Sequence, residues 1–118
     1  MHHIAALAAC LRRVNSLEFH TYAHQILRNA KTLANELMDN GIKLITNGTE
    51  NHMMVLDCIA SFGFHGAIAE QTLTHVGIAV NKQIIPDDMN SSLKPSGIRI
   101  GTPALTSRGF KEDDMKKI

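Results

Sequence analysis

Residues 94–110 read KPSGIRIGTPALTSRGF, and the five residues inside them, GIRIG (97–101), decide the fold. The alternation of isoleucine with non-apolar residues, closed by Pro103, predicts a strand. Successive side chains leave opposite faces of a strand, so Gly97, Arg99 and Gly101 share one face and Ile98 and Ile100 take the other. The isoleucines are expected to pack under helices. A glycine on either side of Arg99 clears its face so that a small ligand can approach closely. A guanidinium presents a planar fork that matches a carboxylate through two parallel hydrogen bonds. The competing reading is an arginine on a sheet edge, solvated or in a salt bridge with a residue such as Asp57.

Working outward, residues 3–14 carry Ile4, Leu7, Leu11 and Val14 at helical spacing. Asn15, with Glu18 three residues on, resembles a capping box and predicts a new helix. Phe19, Tyr22, Ile26, Leu27, Ala30, Leu33, Ala34 and Leu37 then form one apolar stripe that Asp39-Asn40-Gly41 ends. IKLIT (42–46) and HMMVLDCI (52–59), joined by turn chemistry at Asn47-Gly48, predict an antiparallel pair. Ser61–Gly66 reads as a loop, 66–76 as a shorter helix ended by Gly77, and IAVN (78–81) as a short strand. Residues 83–96, with Pro86, Asp87, Asp88, Asn90 and Pro95, read as irregular. KEDDMKKI (111–118) begins a helix, its acids placed early to suit the helix dipole. The order predicts an α+β fold, an antiparallel or mixed small sheet with helices on one face. Residues 1–40 form a helical lead-in, 41–110 a sheet with one crossing helix, and 111–118 the start of a final helix.

The 118 residues are one domain's worth of chain. With 44% hydrophobic and 19% charged residues the composition is that of an ordinary globular protein, and only 4% aromatics leave the core to Leu, Ile, Val, Ala and Met. A formal net charge of +1 gives no reason to expect a nucleic-acid or anionic-membrane partner. No apolar run approaches a membrane span, and no signal-peptide pattern opens the chain. Cys10 and Cys58 are read as free, buried thiols in a reducing, cytoplasmic setting.

The remaining candidates point to little chemistry. His20 and His24 have the spacing of a two-histidine metal site, but no third ligand is evident and HExxH is lacking, so a solvated helix face is expected and no metal. Lys82 invites a Schiff-base role that its spacing does not support. No phosphate loop, nucleophile elbow or carboxylate pair is present.

SGIRIGTPALTSRGF closely resembles the C-terminal portion of the serine hydroxymethyltransferases, pyridoxal-phosphate enzymes of the aspartate-aminotransferase fold type. MHHIAALA resembles the helix after that family's GGPLMH segment. NGTENHMMVLD resembles its GGT-D-NH stretch, and VNKQIIPDD its VNKN-x-(I/V)-P-x-D segment. The resemblance implies the C-terminal small domain of that fold type. It also implies reversible transfer of the serine hydroxymethyl carbon to tetrahydrofolate, giving glycine and methylenetetrahydrofolate. Arg99 takes the place of the arginine that binds the substrate α-carboxylate. Gln83 stands where many members have an asparagine near the folate, one methylene shorter. Asn90-Ser91 falls on the folate pocket, and Arg108 is read as anchoring the loop before the last helix. The family's cofactor lysine, its pyridinium-pairing aspartate, its ring-stacking histidine and its phosphate contacts lie upstream of the matched region. No catalytic residue is therefore expected here. The chain reads as a fragment, inactive alone, whose partners are the rest of its parent chain and a second subunit of a homodimer or tetramer. The alternative is a stand-alone module that binds an amino acid or another carboxylate without catalysis.

Overall fold

The computed structural model describes all 118 residues. Helix α1 (His2–Val14) leads to α2 (Leu17–Asp39), which is followed by a single 3-10 turn at Ile45–Asn47 and strand β1 (Met53–Asp57). Then come α3 (Cys58–Phe62), α4 (Gly66–His75), β2 (Asn81–Gln83), β3 (Gly97–Gly101), α5 (Pro103–Ser107) and α6 (Glu112–Met115). The three strands form one antiparallel sheet in the order β1-β3-β2, so the expected α+β architecture holds and GIRIG is the middle strand.

The sheet's apolar face follows from the alternation in β1 and β3. Met54, Leu56 and Ile98 are buried there with Ala30, Leu33 and Ala34 of α2, Ala69 of α4 and Met115 of α6. The long α2 stripe supplies one side of this core. Asn29, fully buried on the same helix, ties it to the C-terminal segment. Its amide donates to Thr106 Oγ1 and to the Phe110 carbonyl, both at 2.9 Å, and its oxygen accepts from Gln25 Nε2. A buried amide with every partner supplied fixes geometry where an unpaired one would destabilise.

Several boundaries differ from those expected. The cap of α2 is Ser16, whose Oγ accepts the Phe19 N–H at 3.2 Å, while Asn15 ends α1. Residues 42–46 do not form a strand. Leu44 makes one antiparallel bridge to Leu56, and the positive φ of Thr46 and Asn47 then turns the chain away. β1 finds its partner in β3 instead. It stops at Asp57, whose carboxylate accepts the Ala60 N–H at 2.9 Å and so starts α3 inside the expected strand and loop. The strand expected at 78–81 is displaced to Asn81–Gln83. Pro103 ends β3 as expected but also opens α5, where the first turn needs no proline N–H.

Helix α1 buries no residue. Ile4, Leu7, Leu11 and Val14 are 68%, 59%, 58% and 44% exposed, on one stripe. The radius of gyration is 16.4 Å, against about 13 Å for a compact chain of this length. An apolar stripe of this kind seeks cover. In isolation the 118-residue chain is expected to self-associate in light scattering, and the double variant Leu7→Glu, Leu11→Glu to run as a monomer whose melting temperature no longer depends on protein concentration. A wild-type chain that stays monomeric at high concentration contradicts this.

Candidate functional site

Arg99 lies midway along β3, with Val55 of β1 opposite it on one side and Asn81 of β2 on the other. Opposed residues of an antiparallel pair share a face. Arg99, Asn81 and Gln83 therefore stand on the sheet face away from the core, Gln83 opposite Gly97. Arg99 is exposed and forms no hydrogen bond or ion pair within the chain. The edge-strand reading fails because β3 is the central strand. The pairing with Asp57 fails because Asp57 stands opposite Gly97, caps α3 and meets Lys43 Nζ at 3.7 Å. The guanidinium is thus exposed on the central strand with no partner inside the chain, which matches the solvated reading and leaves its planar fork free.

The two flanking glycines have different reasons. A Cβ on Gly97 would lie 2.6 Å from Ile85 Cγ2 and 2.7 Å from the Leu56 carbonyl oxygen, so the chain itself fills that position. Gly101 is exposed, and a Cβ there would press on the His52 carbonyl at 3.1 Å. The open side of Arg99 is therefore not symmetric. Ile85 bounds the Gly97 end.

Gln83 is half-buried, and its Nε2 donates to the Ile84 carbonyl at 3.1 Å, which leaves its side-chain oxygen unengaged. Asn90 spends its amide on Ser96 Oγ at 2.8 Å, and Ser91 is exposed. Arg108 makes no side-chain bond. The anchoring expected of it comes from Arg28, whose Nε reaches Glu112 Oε1 at 2.9 Å, and from Tyr22, whose hydroxyl lies 2.8 Å from Ser107 Oγ. His20 and His24 are exposed on α2, and no cluster of three potential metal ligands exists. Cys58 is fully buried, and burial pushes its thiol up to about 11, which keeps it protonated and unreactive. Cys10, expected to be buried, is exposed. No helix is long and apolar enough to cross a membrane.

Two clefts, of about 610 and 540 Å³, lie along α2, one against α5 and the residues beyond it and the other between α1, α2 and α5, and Arg99 lines neither. Arg99 thus sits on an open surface.

Fold and surface define an α+β domain whose central strand displays one unpaired arginine. The chain belongs to the serine hydroxymethyltransferase family, whose model matches residues 1–118. It is 48% identical over 118 residues to the serine hydroxymethyltransferase of Methanospirillum hungatei JF-1, covering 100% of this chain and 28% of that protein. The same identity, length and coverage hold against that of Koribacter versatilis Ellin345. Against that of Chlamydia muridarum the identity is 48% over 117 residues, 99% of this chain and 23% of that protein. The chain thus spans about a quarter of the length of these relatives.

Membership implies pyridoxal phosphate, and the residues present do not fit it. Such a cofactor needs a lysine for its aldehyde, a carboxylate for its ring nitrogen and an anion cradle for its phosphate. Lys82 stands opposite Ile98, away from Arg99's face, and Lys43 meets Asp57. The carboxylates of Asp57 and Asp88 are both engaged internally. No glycine-rich turn leads into a helix on this face.

Proposed function

We propose that this chain is the C-terminal small domain of a serine hydroxymethyltransferase, and that it supplies one wall of the substrate site. The parent would interconvert serine and tetrahydrofolate with glycine and 5,10-methylenetetrahydrofolate. Pyridoxal phosphate would be held by other parts of the parent, where it would supply an electron sink. Arg99 takes the α-carboxylate of serine or glycine in its fork. Gripping both carboxylate oxygens fixes the rotation of the amino acid about its carboxylate axis, and orientation of this kind lowers the barrier by removing the search for a reactive pose. Gln83, on the same face with a free acceptor oxygen, would meet tetrahydrofolate. The single observation that carries the reading is an exposed Arg99 without an internal partner on the middle strand of a chain that belongs to this family. The open setting of Arg99 supports a site completed by the rest of the parent and a second subunit of a homodimer or tetramer.

The isolated 118-residue chain is therefore expected to be inactive. Incubated with serine, tetrahydrofolate and pyridoxal phosphate, it should form methylenetetrahydrofolate no faster than the free cofactor does. Turnover above that rate would refute the reading. Tight binding of glycine by the chain alone, without turnover, would instead favour a carboxylate-binding module.

A further inference from the structure

One carboxylate closes the whole connection between β2 and β3. Residues 84–96 contain no helix or strand, and connections of that length are commonly functional or disordered. This one is pinned. Asp88 Oδ2 accepts the N–H groups of Ile85 at 3.4 Å and Ser96 at 2.9 Å. Its Oδ1 accepts the Asn90 N–H at 3.0 Å and the Ser96 hydroxyl at 2.7 Å. Ser96 is only 4% exposed, directly precedes β3, and accepts the Cys58 N–H on its carbonyl at 3.0 Å. Asp88 therefore binds the loop to the sheet and not merely to itself. The Ser96 N–H and hydroxyl hold its carboxyl well below the usual carboxylate range, so it stays an ionised acceptor throughout the neutral range. The pinned segment carries Ile85 onto Gly97, at one end of the face that displays Arg99 and Gln83.

We propose that Asp88 is a positioning residue for the folate co-substrate, holding residues 84–91 against the start of β3 so that this segment keeps its place beside Gln83 and Arg99, which strand pairing fixes. The inference rests on the function proposed above. It assigns Asp88 to the folate side only, because Arg99 is fixed by its own strand pairing with β1 and β2.

The test is Asp88→Asn in the full-length holoenzyme that contains this chain. The amide keeps the shape but turns one acceptor into a donor that faces N–H or O–H groups. The KM for tetrahydrofolate is expected to rise roughly tenfold, as for the loss of one charge-assisted hydrogen bond. The KM for serine should stay within about twofold, since its carboxylate is gripped by Arg99 alone. Ser96→Ala removes one of the four donors and should shift the folate KM in the same direction by a smaller factor. It decides the question if Asp88→Asn does not fold. A lowered melting temperature with both KM values unchanged, or both rising in parallel, overturns the proposal. So does unchanged hydrogen exchange across residues 84–94 in Asp88→Asn. A wild-type enzyme without folate-dependent turnover fails differently: it sinks the functional reading and the role of Asp88 together. An active wild type matched by Asp88→Asn sinks the role of Asp88 alone.

Discussion

Replacing Arg99 by alanine in the full-length enzyme is expected to lower kcat/KM for serine by roughly a thousandfold, while the melting temperature stays unchanged. The magnitude follows from what the guanidinium would do. Truncating one partner of a desolvated, hydrogen-bonded charge pair costs about 2–5 kcal/mol, and each ~1.4 kcal/mol is tenfold in rate. Arg99→Lys keeps the charge but loses the planar fork, so an intermediate loss of roughly ten- to a hundredfold is expected. The unchanged stability follows from the free chain, where Arg99 is exposed and bonded to nothing. Surface substitutions away from packing and caps stay within about 0.5 kcal/mol. Steady-state kinetics with varied serine, beside a thermal melt, reads both parts. A serine KM indifferent to Arg99→Ala would remove the carboxylate from this residue. A large loss of stability would show that Arg99 is held by something in the fold.

Residues 97–101 were legible because their pattern is short, alternating and closed by proline, and because a strand's faces follow from parity alone. The α2 stripe was legible for a similar reason, since eight apolar residues at one period leave a helix no other face to bury. What failed was pairing. Residues 42–46 carry strand-like side chains, but the partner of β1 is β3, more than forty residues on, and no local pattern encodes that choice. The strand expected at 78–81 slipped toward Gln83 because β3 sets the register of β2. For the candidate site, Arg99 is proposed from parity and Gln83 from family resemblance. The tie from Asp88 to Ser96 left no sequence signal: an aspartate after a proline in an irregular stretch reads only as turn chemistry. Gly97 was read as room for a ligand, whereas Ile85 occupies that room. Contacts between segments distant in sequence decided each of these.

Gly66→Ala should lower the unfolding free energy by about 3 kcal/mol, although alanine ordinarily strengthens a helix. Gly66 is the first residue of α4, and its N–H meets the Pro95 carbonyl at 2.8 Å. A Cβ at this position would lie 1.9 Å from the Gly97 carbonyl oxygen and 2.6 Å from the Gly97 carbonyl carbon. Both atoms are backbone of the central strand. Gly97 cannot yield, because it is paired with Asp57 on one side and Gln83 on the other, and Ser96 before it is held by Cys58 and Asp88. The strain must therefore go into α4. Moving its first turn outward breaks the bond to Pro95 and draws Ala69, 5% exposed, away from the core. Overpacking of this kind costs about 1–3 kcal/mol and more where neither side relaxes. The helical gain from replacing glycine is at most about 1 kcal/mol. A net loss near 3 kcal/mol is a large share of a small domain's stability of about 5–15 kcal/mol. Gly77→Ala is the control. Gly77 has φ +83° and open space around its Cβ position, so its cost is conformational only, about 1 kcal/mol. Urea unfolding of the two variants and wild type at one protein concentration separates the effects. A midpoint for Gly66→Ala at or above that of Gly77→Ala would mean that α4 does not press on β3 and that the sheet bearing Arg99 is not braced from that side.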